Sequence, residues 1–227
     1  MRNSIGAAAL LATALLSACE PVGKAEARGT TTVAQKATVT RSSAAAIRYV
    51  TAPTGNAARY RIREQLVGLD LPNDAVGETS GVTGTIAADA KGNIIPSESK
   101  FVVDVSALKS DKDRRDGFVR RRVLETDQYP SVTFVPKSVR GVSLPLPRSG
   151  TKSFEILGDL TVRGKTKPIL WKVNARFHPD RMTGAAATSF TFADFEMEQP
   201  RVPVVLSVDE TIKLELDFTL VPDPVTR

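Results

Sequence analysis

The chain has one cysteine, one histidine and one tryptophan, and aromatic residues make up only 6% of its 227 positions. With Cys19 alone, no internal disulfide can form, so the fold must rest on its core. Cys19 and His178 together cannot supply the ligands of an ordinary zinc site. His178 precedes Pro179-Asp180 in a turn-forming stretch and reads as a surface residue. The formal charge of +6, one unit of it from Arg2, is diluted along the chain. No basic run is interleaved with stacking rings, which argues against nucleic-acid binding, while weak attraction to an anionic membrane surface stays open. The apolar run Ile5–Leu16 is too short for a permanent membrane span.

Catalytic motifs are missing as well. Gly164-Lys165-Thr166 has the ending of a phosphate-binding loop, but Asp159 stands where the first glycine is needed, and Pro168 follows in place of a helix. There is no Gly-x-Ser-x-Gly elbow, and a lone histidine in a turn does not make a serine triad. Asp111, Asp113 and Asp116 lack the glycine and closing glutamate of a calcium loop. Arg120, Arg121 and Arg122 point three ways on a helix and cannot converge on one phosphate. The expectation is a protein without cofactor, metal or enzymatic activity.

The N-terminus carries Arg2, the short apolar run and then Leu16-Ser17-Ala18-Cys19, the pattern of a signal peptide. Leu-Ser-Ala-Cys resembles the bacterial lipoprotein box, which implies removal of residues 1–18 and lipidation of Cys19; Glu20 at the next position implies sorting to the outer membrane. Residues 19–57 are rich in Ala, Thr, Ser and Gly and read as a tether, although Ala44–Val50 suits a helical turn or a strand. A tail, 223–227, follows the domain at 58–222.

Within that domain the recurring signal has a period of two. Tyr60 and Ile62 alternate with Arg59, Arg61 and Arg63; Phe101, Val103 and Val105 share a face; Val132 and Phe134 oppose Ser131 and Thr133. Leu160 and Val162 share another face, and Trp171, Val173, Ala175 and Phe177 alternate with Lys172, Asn174 and Arg176. Thr183–Phe195 carries Phe190 and Phe192, and Ile212, Leu214, Leu216, Phe218 and Leu220 oppose Lys213, Glu215, Asp217 and Thr219. Asp70–Glu78, with Pro72-Asn73-Asp74 and Gly77, reads as a loop, as do Arg140–Lys152 and Gln199–Pro203. One helix interrupts the strands: acidic residues at 111–116 precede Arg120–Arg122, matching a helix dipole, and Tyr129-Pro130 ends the segment. About eight one-face-apolar strands require a sandwich or a closed barrel, and eight strands leave a filled core or room for one small ligand.

Three stretches in combination resemble the YceI-like family of bacterial polyisoprenoid-binding proteins. They are Val82-x-Gly84-x-Ile86 with Gly92; Arg115-Asp116, Leu124 and Tyr129-Pro130 with Val132 and Phe134; and Gly158–Gly164 with Lys167-Pro168. The resemblance covers about 59–221 and implies an all-β, eight-stranded antiparallel, lipocalin-like barrel with one short helix, behind an N-terminal lipoprotein signal and tether. It further implies an apolar interior that holds an isoprenoid quinone or similar lipid, in the periplasm or outside the cell. On the alternation, with Phe118 added from the apolar side of the helix, the candidate lining residues are Phe101, Val103, Phe118, Val132, Phe134, Leu160, Val162, Trp171, Phe190, Phe192, Leu214 and Leu216. Many members have a histidine in the first strand region, where this chain has Arg63-Glu64-Gln65, so head-group recognition is expected to differ. The alternatives are a filled-barrel structural module of the envelope, linked to stress or adhesion, and an enzyme on a lipid head group, which lacks a base other than exposed carboxylates. Homodimerisation is left open.

Overall fold

The computed structural model describes residues 47–68 and 70–223. Its strands are β1 (Ile47–Thr51), β2 (Ala57–Leu66), β3 (Asn73–Thr79), β4 (Val82–Ala88), β5 (Lys100–Asp104), β6 (Ser131–Arg140), β7 (Gly150–Val162), β8 (Lys165–Phe177), β9 (Met182–Thr191), β10 (Val205–Val208) and β11 (Thr211–Pro222). Several of these are segments of one longer wall. β1 and β2 follow each other along the same edge of β11, with Tyr49 opposite Pro222 and Ala57 opposite Asp217. The break at 52–56 is held by Asn56, whose amide donates to the Ala52 carbonyl at 2.7 Å and whose oxygen accepts from Thr219 N at 3.0 Å. β3 and β4 lie in the same way against β2 and β1, and β10 and β11 both lie against β2. Taken as walls, these three pairs and β5–β9 form a closed eight-stranded antiparallel barrel, sealed by the β1–β11 pairing.

Alternation dictates which side is inside. β8 buries Trp171, Val173, Ala175 and Phe177 and exposes Lys172, Asn174 and Arg176. Each valine or phenylalanine side chain so withdrawn from water contributes about 1.5–3 kcal/mol. The outer face carries charge: Arg59 pairs with Glu78 and with Asp217 (2.6 Å), and Arg61 pairs with Asp74 and Glu215, both at 3.2 Å. Among the described residues no helix is long and apolar enough to cross a membrane.

Two readings from the sequence differ from the structure. Ile47–Thr51, placed in the tether, is a wall strand that closes the barrel. Asn73–Thr79, placed in a loop, is β3, which pairs along β2 from Asn73–Glu64 to Thr79–Ala58. Its turn-forming composition is overridden by that pairing and by ion pairs from Asp74 and Glu78 to the β2 arginines.

The helix α1 (Asp113–Phe118) runs on into one wider π-helical turn, Val119–Val123. Asp113 and Asp116 occupy the first turn, as the dipole argument requires. Asp116 does more: buried, it accepts from Ser110 N at 2.9 Å and Ser110 Oγ at 2.6 Å, tying the helix start to the preceding chain. The helix lies in the β5–β6 connection, at the barrel end shared with the β2–β3, β7–β8 and β9–β10 connections; this is called the helix end.

Candidate functional site

The barrel core is divided. At the helix end, Leu160, Val162, Phe190, Phe192, Phe195 and Ile212 pack with Val123 and Met197; toward the other end, Trp171, Val173, Phe177, Phe218 and Leu220 form a second cluster. Phe134 packs against both. Between them runs an apolar cavity of about 270 Å³. That equals roughly nine waters at ~30 Å³ each. It lies just under the ~300–1,000 Å³ usual for small-molecule sites. Phe101, Val103, Val132, Phe134, Leu214 and Leu216 line it and are only half-buried, because their free surface faces this space.

The cavity survives because large rings lie along the wall and leave the axis open. Phe101 is the cross-strand partner of Gly84 and folds flat over it. Tyr60 does the same over Gly77, and Phe218 over Gly184. The Phe134 ring covers Gly158, where an added Cβ would sit 2.6 Å from ring Cζ. Each glycine supplies the recess that an aromatic neighbour occupies. Phe134 also meets Trp171 edge-on, with centroids 5.9 Å apart.

Polar groups at the cavity are few. Tyr49, Tyr60, Thr133 and Ser143 line it, and the buried Trp171 Nε1 has no hydrogen-bond partner among the described residues. Arg59 and Glu215 also border it, but their charged groups are engaged in the ion pairs of the outer face. Burial pushes the Tyr60 hydroxyl up to about 12, with nearby Arg115 opposing the shift, and burial raises Tyr49 as well.

Side chains from the connecting segments border the cavity at both ends. At the helix end, Val119, Val123 and Leu124 reach the cavity from the π-helical turn, and Met197 and Pro200 reach it from the β9–β10 connection. Arg115 ties the helix to β2 through Glu64 at 2.6 Å, both side chains being largely buried, and also pairs with Asp111. Glu125 beyond the turn pairs with Arg163 of the β7–β8 connection, and Lys165 beside it pairs with Glu196 at 2.6 Å. At the opposite end, Val142, Leu144 and Leu146 of the β6–β7 loop line the cavity, with Leu144 over Gly92.

Of the twelve lining residues named from the sequence, eleven border the cavity: Phe101, Val103, Val132, Phe134, Leu160, Val162, Trp171, Phe190, Phe192, Leu214 and Leu216. The twelfth, Phe118, packs against the helix-end cluster and is not among the cavity walls. Helix position explains this: Phe118 precedes the wider turn, whose Val119 and Val123 take the inward places. Phe192 reaches the cavity from a 3-10 turn, Phe192–Phe195, rather than from a strand. Cys19 lies outside the described residues. The sequence reading missed Tyr49, Tyr60 and the Val142-x-Leu144-x-Leu146 cover, whose apolar alternation inside a proline-rich loop was the available signal. No cluster of His, Cys, Asp or Glu among the described residues is suited to a metal ion.

A family model, the YceI-like domain, matches residues 49–220. The chain is 29% identical over 128 residues to UPF0312 protein VPA0850 of Vibrio parahaemolyticus, which covers 53% of this chain and 64% of that protein. It is 29% identical over 114 residues to a UPF0312 protein of Pseudomonas putida, covering 46% and 56% respectively. The chain thus spans less than two thirds of the length of these curated relatives. Among solved structures it resembles a polyisoprenoid binding domain from Saccharophagus degradans implicated in plant cell wall breakdown, with TM-score 0.61 and 14% identity over 78% of this chain and 99% of that one. It also resembles BcnA of Burkholderia cenocepacia, with TM-score 0.54 and 13% identity over 72% and 95%. At these identities the structural likeness is one of fold.

Proposed function

The chain belongs to the YceI-like family, and from that premise we propose that it is a non-enzymatic protein that stores or carries an isoprenoid quinone or similar polyisoprenoid amphiphile in its barrel. The carrying observation is the apolar cavity kept open by rings laid over glycines. Each methylene buried there contributes about 0.8 kcal/mol, so a few isoprene units suffice for useful affinity without any charged contact. The fold it shares with a polyisoprenoid binding domain supports the reading. A filled-barrel structural module has less support, because half-buried inward side chains such as Phe101 and Leu216 are then left without neighbours.

The same proposal includes a lipid anchor at Cys19 that keeps the domain at the periplasmic face of the outer membrane, beside the apolar molecules it would take up. Cys19→Ser should abolish labelled fatty-acid incorporation and membrane fractionation; unchanged membrane association would refute the anchor. For the cavity, native mass spectrometry after mild purification, followed by organic extraction, should find one class of prenylated molecule near stoichiometry. A protein that is consistently empty, and whose melting temperature does not respond to added quinone or polyprenyl lipid, would return the reading to the structural module.

A further inference from the structure

The polar inventory of the cavity constrains the ligand head. Arg59 is the only cation among the described residues bordering it, and Glu78 and Asp217 engage that guanidinium on the outer face. At the helix end Arg115 is committed to Glu64 and Asp111, and Arg120, whose guanidinium donates to the Leu108 carbonyl at 3.3 Å, is not among the cavity walls. A phosphate drawn into this space would be a buried anion without a partner, which is costly. At the helix end the lining supplies one aromatic hydroxyl, while Tyr49, Ser143 and the unpartnered Trp171 Nε1 lie toward the other end. Tyr60 borders the cavity, its ring rests on Gly77, and its hydroxyl has no hydrogen-bond partner among the described residues. Burial keeps that hydroxyl protonated well above neutral pH. A half-buried donor of this kind gains from any ligand acceptor that replaces lost water.

We infer that the cavity takes a ligand with an uncharged head, whose carbonyl or ether oxygen accepts a hydrogen bond from the Tyr60 hydroxyl at the helix end, and that it rejects the phosphorylated form of the same prenyl chain. This rests on the binding role proposed above and adds to it the polarity and orientation of the ligand. Tyr60 is then the residue that separates a neutral amphiphile from a plain hydrocarbon, while the lack of an unengaged cation among the described residues bordering the cavity separates it from a phosphate.

Trp171 is the sole tryptophan and borders the cavity, so its fluorescence reports occupancy. The full chain carrying Cys19→Ser would be titrated with a short-chain prenylated benzoquinone, read by quenching. A prenyl monophosphate and a prenyl hydrocarbon of equal length would be read by displacement of that quinone. The quinone should bind at least about a hundredfold more tightly than the phosphate, the scale of an unpaired buried charge. Tyr60→Phe should weaken quinone binding about three- to tenfold, the worth of one hydrogen bond, and leave the hydrocarbon unchanged. The hydrocarbon also serves as the folding control for the variant. Quinone and phosphate affinities within about threefold of each other, or a Tyr60→Phe protein that loses neither ligand or both equally, would overturn the head-group assignment alone. Failure of the parent protein to bind either quinone or hydrocarbon would overturn the binding role itself.

Discussion

Arg163 and Glu125 pair with each other across the helix end, and each does so from left-handed backbone, with φ of 48° and 51°. Neither is a glycine, so each carries a conformational cost of about 1–2 kcal/mol. The third left-handed non-glycine, Glu196 at φ 54°, pairs with Lys165 two residues along from Arg163. Tyr129 packs against Gly164 between those two basic residues. The β7–β8 turn therefore clasps the two segments that border the cavity at the helix end, the π-helical segment through Glu125 and the β9–β10 connection through Glu196. Strain of this kind persists only where surrounding contacts over-determine it.

The clasp makes a stability prediction with an internal control. Glu125→Ala loses the ion pair and keeps the left-handed strain, whereas Glu125→Gly loses the same pair and relieves the strain. In urea denaturation the glycine variant should be the more stable of the two by about 1 kcal/mol. The reverse order would show that residue 125 does not carry the strained backbone.

Arg115 makes two ion pairs of unequal worth. Glu64 is buried, and removing it strands a largely buried guanidinium, so Glu64→Ala should cost about 3 kcal/mol. The Asp111 side chain is 65% exposed. Asp111→Ala should therefore cost under about 1 kcal/mol. Equal losses in denaturant titrations would mean that the Glu64 contact is as well solvated as the Asp111 contact.

The raised hydroxyl of Tyr60 gives an alkaline signature. Burial raises it in the folded protein to about 12, from the ordinary tyrosine value of 10.0. The unfolded chain therefore releases the proton first as pH rises. The stability contributed by this group is full below pH 10, declines between 10 and 12, and is gone above the folded value. The decline amounts to at most about 2–3 kcal/mol. Wild type should lose urea stability over that window more steeply than Tyr60→Phe, with lysine and arginine effects common to both. Parallel curves would place the hydroxyl in ordinary solvent.

These relationships explain what the sequence could and could not disclose. β8 and β11 were legible because Trp171-Val173-Ala175 and Ile212-Leu214-Leu216 alternate against charged neighbours, and the parity of a strand follows from that alone. β3 was illegible because Asn73-Asp74 and Gly77 are turn formers; it becomes a strand through pairing with β2 and the arginines there. β1 lacked a polar alternate face, since Ile47-Arg48-Tyr49-Val50-Thr51 breaks the pattern after one charged residue, and its place is fixed by partners at 85–88 and 220–222. Inward parity named eleven cavity residues, but not the openness of the space between them. Openness depends on which glycine lies across from which ring, and hence on long-range register. The Glu64–Arg115 pair joins residues 51 apart and was beyond local reading for the same reason.

That dependence on register leads to a contrast between two glycines that local sequence would treat alike. A Cβ at Gly158 would collide with the Val135 carbonyl oxygen and with the Phe134 ring. The oxygen belongs to β6 beside β7 and cannot withdraw without parting the two strands. Gly158→Ala should therefore destabilise the protein by about 2–3 kcal/mol, in the range of an overpacked core. At Gly84 the nearest atoms all belong to the Phe101 ring, which has the cavity beside it and can swing inward. Gly84→Ala should cost less stability, about 1 kcal/mol, but should push the ring into the ligand space. Melting curves and ligand titration on the same two variants separate these effects: Gly158→Ala should show the larger loss of melting temperature, and Gly84→Ala the larger loss of lipid capacity per folded molecule. If Gly84→Ala binds as the parent does, Phe101 has not moved into the cavity, and the recess at Gly84 does not set its width.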